Sequence, residues 1–332
     1  MRTLAKYEQL GFAEERFYQF PNIINLEVFR GLCPCSCIHC PVGRLSSDVR
    51  SSYFGTRSVS LKLVEKIVSE MKLYPHSTLR LHSVGDPIMW QGLSETIEYI
   101  HSEHINSWIF TSLVSNDTKI LESIARNCAI VEVSINSIDA LDYKQTKGID
   151  AFDIVQKNLI FISQFIKNNH LPTRLVVSRV QSSVESRDNE FVKFWKSSGL
   201  VDDAFVRSYH NYNNILDKGS SCKLKPPCLV HWMRFNISCD GLVVSCFNEL
   251  FRKELRKDVI IGNISNSSIY DIWHGEYMKN LRQAELTGYN DDKFDVDFPC
   301  RKCSFCQAYD KASITSEFQI NRIGTHDTDF YK

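Results

Sequence analysis

The sequence lacks both an excess of charge and the long apolar segments that mark two large classes of protein. Lys plus Arg and Asp plus Glu number 39 each among 332 residues, so the formal net charge is zero. Nucleic-acid-binding proteins usually carry a basic patch, and no basic block is present here. No apolar run approaches the roughly 20 residues of a membrane-spanning helix. We therefore expect no nucleic acid and no membrane as partners.

The N-terminus also lacks the apolar core of a secretory signal, because residues 1–20 mix charged and apolar side chains. The expected location is therefore cytoplasmic, where thiols stay reduced. Cysteine is nevertheless abundant, with 12 in the chain. Four lie within residues 33–40, seven lie after residue 220, and only Cys128 lies between the two groups. In a reducing compartment this clustering indicates metal binding rather than disulfides.

Between the two cysteine groups, β-branched runs alternate with segments of helical periodicity. The predicted strands cover residues 23–29, 79–84, 108–113, 130–135, 174–180 and 204–209. Six strand–helix units predict an α/β fold with a parallel sheet, curled into a partial (β/α)6 barrel. Ligands of such sheets bind at the carboxyl ends of the strands. The first cysteine group follows the first of these strands.

The alternation ends near residue 212, where a polar stretch with Gly219 and the pair Pro226-Pro227 predicts a boundary. Beyond it we predict a hairpin turning at Asp240-Gly241 and a helix over residues 269–282. The expected organisation is a core over 1–212, a small α+β domain over 213–309 and a polar tail over 310–332.

The first cysteine group reads Cys33-Pro-Cys-Ser-Cys-Ile-His-Cys40. Thiolates are ligands for iron–sulfur clusters and for zinc. Cys33, Cys37 and Cys40 are spaced so that one loop can surround a face of a four-iron cluster and leave one iron open. On this segment alone, a zinc site that takes a fourth ligand from Cys35 or His39 is an alternative.

This CxxxCxxC loop, after the first strand of a strand–helix repeat, resembles the signature of the radical S-adenosylmethionine (radical SAM) superfamily. The resemblance implies a [4Fe–4S] cluster on Cys33, Cys37 and Cys40, whose open iron binds the amino and carboxylate groups of S-adenosylmethionine. Cys35 would then be a bystander. The superfamily often has an aromatic residue before the last cysteine; here it is His39, whose imidazole can also stack near an adenine.

Three later segments also resemble superfamily motifs, in the same order. They are Gly85-Asp86-Pro87, similar to Gly-Glu-Pro; Ser134-Ile135-Asn136, similar to Ser-Ile-Asp; and Lys147-Gly148, similar to Arg-Gly. The resemblance implies contacts of these segments with the amino group, ribose and carboxylate of S-adenosylmethionine, and Thr111 is a further candidate. Taken singly, a tight turn, packing or a solvated lysine explains each of them.

The C-terminal region resembles the SPASM or shortened "twitch" extension of radical SAM enzymes. The residues that carry the resemblance are Cys228, Gly241, Cys246, Gly262-Asn263-Ile264, Ile269–Trp273, Cys300 and Cys303. It implies one auxiliary [4Fe–4S] cluster, with Cys228, Cys246, Cys300 and Cys303 as ligands. Cys222 or Cys306 is an alternative ligand, whereas Cys239 and Cys128 are expected to be packed. A zinc ribbon is the alternative to a cluster.

Together the resemblances imply an enzyme that receives an electron from flavodoxin or ferredoxin and cleaves S-adenosylmethionine to a 5′-deoxyadenosyl radical. That radical would take a hydrogen atom from a substrate above the strand ends. Candidate substrate contacts at the ends of the last two predicted strands are Arg179, Arg207 and Tyr209.

The substrate class is a separate expectation. Peptide-modifying members of the superfamily often carry an added N-terminal domain, and only some twenty residues precede the first predicted strand. This favours a small polar metabolite (a sugar, aminocyclitol or nucleoside) that is dehydrogenated, epimerised or decarboxylated. A peptide substrate and a non-enzymatic electron-transfer or zinc-ribbon module are the alternatives.

Overall fold

The computed structural model describes residues 18–216, 227–290, 292–303, 320 and 323. Its strands form one ten-stranded sheet. They are β1 (Ile23–Arg30), β2 (Arg57–Ser58), β3 (Thr78–Val84), β4 (Ser107–Thr111), β5 (Ile130–Val133), β6 (Arg174–Val180), β7 (Asp203–Arg207), β8 (Arg234–Ile237), β9 (Leu242–Val244) and β10 (Ile260–Asn263).

The helices of the described residues lie mostly in the connections between strands. They are α1 (Pro41–Arg44), α2 (Ser47–Phe54), α3 (Leu61–Met71), α4 (Leu93–Ser102), α5 (Thr118–Asn127), α6 (Ala140–Lys147), α7 (Phe152–Asn168), α8 (Glu185–Ser197), α9 (Leu229–Met233), α10 (Ile269–Trp273), α11 (Glu276–Leu286) and α12 (Pro299–Lys302). Among them, none is long and apolar enough to cross a membrane.

Six strands form the predicted parallel core. β1, β3, β4, β5, β6 and β7 are neighbours in that order, and each neighbouring pair is parallel. Every connection between them contains at least one helix, as parallel pairing requires. The predicted α/β fold with a parallel sheet is therefore confirmed.

The inner face of this sheet shows how it curves. Ile23 of β1, Trp108 of β4 and Phe205 of β7 belong to one buried cluster, together with Ile130 and Val176. Four strands separate β1 from β7 in the sheet order. An inner cluster that spans these strands indicates a partial barrel whose floor is closed by apolar side chains.

The predicted hairpin that turns at Asp240-Gly241 is present as β8 and β9, but it is part of the core sheet. β8 pairs with β1 in parallel, so that Ile23 lies opposite Arg234. Asn25 Nδ2 donates to Asn236 Oδ1 across this pair, at 2.9 Å. β9 and β10 extend the sheet in antiparallel pairing. The second cysteine region is thus joined to the core through backbone pairing that no local pattern in the sequence indicates.

Some helices differ from the prediction. The single helix expected over residues 269–282 is two helices, α10 and α11, because the chain turns at His274 and Gly275. Helices α2 and α6 were not predicted, because their residues carry little of an amphipathic pattern. α6 is defined by its ends instead: Asp139 accepts from Asp142 N at 2.9 Å, and Gly148 ends the helix with a φ of 70°.

Candidate active site

One cavity of about 240 Å³ lies at the carboxyl ends of the parallel strands. Predicted residues from the cysteine loop, from two strand ends and from the end of helix α6 line it, among them Cys33, Cys37, Cys40, Asp86, Ser134 and Lys147. Further predicted residues in its wall are His39, Gly85, Thr111, Arg207 and Cys246. The fold therefore brings together motifs that are far apart in the chain.

The cysteine loop follows β1 directly and is held from outside by Arg50 of α2. This side chain is only 2% exposed. Its guanidinium donates to the carbonyl oxygens of Cys33 at 2.9 Å and Cys35 at 2.8 Å, and to Ser36 Oγ at 2.7 Å. Buried carbonyls of an irregular loop need such donors. Arg50 thus fixes the loop backbone while the thiols face the cavity; the sequence analysis did not identify this residue.

Two glycines of the predicted motifs are needed because the loop packs against them. A Cβ at Gly85 would lie 2.1 Å from Leu32 O, and one at Gly148 would lie 2.5 Å from Ser36 O. The backbone N–H of Ser36 donates to Lys147 O at 2.7 Å. In this chain the glycines of Gly-Asp-Pro and Lys-Gly therefore allow close approach of the cysteine loop to the end of strand β3 and to the end of helix α6.

Asp86 links two of the strand ends. Its carboxylate accepts from Thr111 Oγ1 at 2.8 Å, from the backbone N–H and the hydroxyl of Ser112, and from Ile88 N at 3.1 Å. Burial raises the pKa of Asp86, and the hydrogen bonds from Ser112 oppose that rise. Pro87 starts the turn that follows. Asp86 and Thr111 line the cavity and are also bonded to each other.

Lys147 lies at the cavity with its Nζ donating to Ser134 O at 2.7 Å. Burial alone would lower its pKa, but the negative charge of the nearby Cys37 and Cys35 as thiolates raises it above the usual value, so the ammonium stays charged. Asn136 differs from the prediction. It does not lie among the described residues that line the cavity, because its Oδ1 accepts from Val180 N at 2.7 Å and its Nδ2 donates to Ser134 Oγ.

The thiols of the loop are soft donors of the kind that an iron–sulfur cluster takes. Among the described residues, no group of three or more His, Cys, Asp or Glu is close enough to hold a single metal ion. Cys33, Cys35, Cys37 and Cys40 nevertheless all line the same cavity. A four-iron cluster is larger than one ion and takes thiolates spread around it. Cys35 shares the wall with its neighbours, so its predicted role as a bystander is based on loop spacing alone.

A polar belt lies deeper in the cavity, one layer above the apolar floor. Glu132 accepts from Arg207 Nε at 2.8 Å and lies 3.4 Å from Arg80. The imidazole of His82 packs between the rings of Phe110 and Phe247, with centroids 5.6 and 4.8 Å away. Burial lowers the pKa of His82, and Arg80, Arg207 and Arg234 lower it further, so this imidazole is neutral. The sequence analysis identified only Arg207 of this belt.

Two predicted substrate contacts are placed elsewhere. Arg179 does not line the cavity: its guanidinium lies 3.1 Å from Asp188 and over the ring of Phe191, both on α8. The reason is strand alternation, because Val176 faces inward and Arg179 is three positions later, on the outer face. Tyr209 is 39% exposed and also lies outside the cavity wall. Of the three predicted substrate contacts, Arg207 alone lines the cavity.

The second cysteine set converges from separate elements. Cys228 precedes α9, Cys246 follows β9, and Cys300 and Cys303 lie in and just after α12. Burial raises the pKa of Cys300, and the nearby Cys246, Cys303, Glu285 and Cys228 raise it further, so the four predicted ligands lie near enough to interact electrostatically. Cys222 and Cys306, the alternative ligands, lie outside the described residues.

Two other cysteines are placed as the sequence analysis expected. Cys128 is buried in the main core. Cys239 is buried at the β8–β9 turn, where its backbone N–H donates to Glu27 Oε2 at 3.1 Å.

Solved structures with the same fold are radical SAM enzymes of low sequence identity. Streptococcus suis SuiB bound to precursor peptide SuiA has a TM-score of 0.59 and 12% identity over 86% of this chain and 70% of that chain. Native anSMEcpe with bound AdoMet has a TM-score of 0.60 and 12% identity, over 92% and 99%. BtrN in complex with AdoMet and 2-DOIA has a TM-score of 0.51 and 15% identity, over 88% and 98%. At these identities the similarity concerns the fold.

A family model adds a more specific result. The SPASM family, described as an iron–sulfur cluster-binding domain, matches residues 228–304. No curated protein matches the sequence. The chain therefore has the fold of the radical SAM/SPASM enzymes and carries a C-terminal SPASM iron–sulfur domain. All four predicted auxiliary ligands, Cys228, Cys246, Cys300 and Cys303, lie within the matched residues.

Proposed function

We propose that the chain is a radical SAM enzyme that cleaves S-adenosylmethionine reductively and takes a hydrogen atom from a small polar metabolite. The observation that carries the proposal is the wall of the cavity. There the thiols of the CxxxCxxC loop lie beside Lys147 and Asp86, with a polar belt beneath them. The proposed cluster site and the proposed substrate site therefore share one cavity.

Cys33, Cys37 and Cys40 would hold the cluster. When bound, this [4Fe–4S] cluster supplies the electron that cleaves S-adenosylmethionine to methionine and the 5′-deoxyadenosyl radical. The side chains of the protein orient S-adenosylmethionine. Lys147 offers an ammonium to the carboxylate of S-adenosylmethionine, and Asp86 offers a carboxylate to the amino group of S-adenosylmethionine. Arg50 keeps the loop carbonyls turned away from the cavity. Flavodoxin or ferredoxin is the proposed reductant.

The polar belt supports a small polar substrate. Arg207, Arg234, His82 and Asn236 line the cavity, and the apolar cluster around Trp108 closes the floor below. Guanidinium and amide groups bind carboxylates, phosphates and sugar hydroxyls. Dehydrogenation, epimerisation or decarboxylation of such a metabolite is the proposed outcome. BtrN is known with the small molecule 2-DOIA, whereas SuiB is known with a peptide, so a peptide is the competing substrate class.

The cleavage activity is tested by anaerobic reconstitution. We expect roughly eight irons per chain, as two four-iron clusters require, and release of 5′-deoxyadenosine from S-adenosylmethionine with dithionite. The variant Cys37→Ala should abolish that release, while Cys128→Ala, which removes a core thiol, should retain it. Release that persists in Cys37→Ala, or a protein that takes up zinc and no iron, would overturn the proposal.

The substrate class is tested with the same protein. Deuterated sugars, aminocyclitols and nucleosides are supplied in one set of reactions and deuterated peptides in another. Deuterium in 5′-deoxyadenosine identifies the compound that loses hydrogen. We expect transfer from the small-molecule set. Transfer only from peptides would replace the metabolite proposal and leave the cleavage activity intact.

A further inference from the structure

The second cysteine site contains a buried histidine that no motif accounts for. His231 lies on α9, three residues after Cys228, and is 2% exposed. Its Nε2 lies 3.8 Å from Cys300 Sγ, within hydrogen-bond distance for sulfur. The other ring nitrogen, Nδ1, lies 2.6 Å from Glu285 Oε1. The imidazole therefore stands between a carboxylate and a predicted cluster ligand.

The position of Glu285 is fixed by several donors. Its Oε1 accepts from the backbone N–H of Cys228 at 3.2 Å, and its Oε2 accepts from Trp232 Nε1 at 2.7 Å. A carboxylate with these partners has little freedom to move. The Glu285 carboxylate therefore contacts the backbone of Cys228, one predicted ligand. It also contacts the ring of His231, which faces Cys300, another predicted ligand.

The backbone of His231 is held by α11, the helix that also carries Glu285. Arg282, one turn before Glu285 on α11, donates from Nε to His231 O at 2.9 Å and from Nη1 to Trp273 O at 3.0 Å. Its guanidinium also lies 4.0 Å from the centre of the Trp273 ring. α11 therefore fixes both the main chain and the ring of His231, so the direction of Nε2 toward Cys300 is determined by packing.

We propose that His231 is a positioning residue that donates a hydrogen bond from Nε2 to the Cys300 thiolate and raises the reduction potential of the auxiliary cluster. A ligand thiolate and the Glu285 carboxylate both have only lone pairs to offer, so both ring nitrogens of His231 act as donors, as they do in the imidazolium form. Hydrogen bonds to cluster sulfurs are one of the levers that set the potential. They favour the reduced form, which carries more negative charge. Outer partners such as Glu285 orient residues of this kind.

The inference rests on the iron–sulfur domain and not on the proposed substrate or on S-adenosylmethionine cleavage. Its test therefore uses the full chain with Cys33→Ala, Cys37→Ala and Cys40→Ala combined, so that the auxiliary cluster is observed alone. The midpoint potential is measured by anaerobic redox titration followed by absorbance and electron paramagnetic resonance, and iron is counted for each variant.

In this background His231→Phe should keep the four irons and shift the midpoint potential to a more negative value. Glu285→Gln should shift it in the same direction by less, because the ring remains but its orientation relaxes. His274→Phe is the matched control, since the His274 ring packs against Tyr270 and Tyr18 and its Nε2 lies 3.1 Å from Gln19 O; its potential should equal that of the parent.

Three results would overturn the proposal. The first is an unchanged potential in both His231→Phe and Glu285→Gln. The second is loss of iron in His231→Phe together with histidine nitrogen coupling of a direct ligand in the parent spectrum, which would make His231 a ligand instead. The third is an equal shift in His274→Phe, which would indicate a general disturbance of the helices. None of these results depends on whether the enzyme cleaves S-adenosylmethionine.

Discussion

The two cysteine sites differ in how the chain assembles them. In the first, the predicted ligands lie within residues 33–40, and one loop presents them all. In the second, they come from segments between residues 228 and 303, carried by α9, the end of β9 and α12. The first site therefore depends on what holds a single loop, and the second on how separate short elements pack together.

Both sites nevertheless use a buried arginine for the same purpose. Arg50 donates to the carbonyls of Cys33 and Cys35, and Arg282 donates to those of His231 and Trp273. Arg50 is 17 residues from Cys33, whereas Arg282 is 51 residues from His231. The second site thus requires more of the chain to be folded before its support is in place, since a longer loop costs more entropy to close.

Replacing each arginine should break one site and spare the other. In Arg50→Met, each loop carbonyl left without a donor costs about 1–3 kcal/mol, and we expect loss of the iron bound at residues 33–40. Arg282→Met should instead lose the iron bound by the SPASM domain. Iron analysis and the electron paramagnetic resonance signals of the two clusters show which site has lost its iron. An equal loss from both sites in both variants would show that the sites are not supported independently.

Glu132 belongs to the polar belt of the cavity, where it pairs with Arg207 and Arg80, so its loss should affect the stability of the fold rather than one of the two cysteine sites. Glu132→Gln leaves Arg207 and Arg80 buried without their carboxylate, which costs about 3–5 kcal/mol. Burial tends to raise the pKa of Glu132, but Arg207 and Arg80 lower it below the ordinary value of 4.5.

A carboxyl group whose pKa is lower in the folded state stabilises the fold above its unfolded pKa and loses that contribution as the pH falls through the folded value. Below about pH 4.5, acidification should therefore destabilise the wild type more steeply than Glu132→Gln. Urea denaturation at a series of pH values measures the free energy of unfolding of both proteins. If the free energy of unfolding depended on pH in the same way in both proteins, the lowered pKa of Glu132 would be contradicted.

The smallest expected effect concerns the contact of Gly148 with the cysteine loop. Gly148 and Gly199 have nearly the same φ, 70° and 67°. A Cβ at 148 meets Ser36 O at 2.5 Å, whereas one at 199 meets nothing within 4 Å. Both alanine variants pay the left-handed penalty of about 1–2 kcal/mol, and Gly148→Ala adds about 1–3 kcal/mol of overlap.

Thermal unfolding of the two variants isolates the overlap, because the backbone strain is common to both. Gly148→Ala should also bind less iron in the first site, whereas Gly199→Ala should bind the normal amount. Equal melting temperatures would mean that the loop moves away from residue 148 without cost.

Several site residues were predictable because their signals are local. The cysteine spacing within 33–40 and the strand run before it are legible along the chain, and so is the alternation that gave the parallel sheet. Arg179 shows the limit of that approach. Its place near a strand end suggested the cavity, but the alternation from Val176 puts it on the outer face, against Asp188. Phe205 faces inward and Arg207 is two positions later on the same strand, so the same alternation predicts that Arg207 faces the cavity.

The sequence by itself determined which residues are candidate iron ligands, and that a strand–helix repeat presents the first of them at a strand end, because spacing and periodicity are properties of neighbouring residues. Only the tertiary structure decided what surrounds the two cysteine sites. The support of the loop by Arg50, the approach of Gly85 and Gly148 to it, the pairing of β8 with β1 and the Glu285–His231–Cys300 contact all join residues far apart in the chain. Such contacts follow from packing, which no single segment encodes.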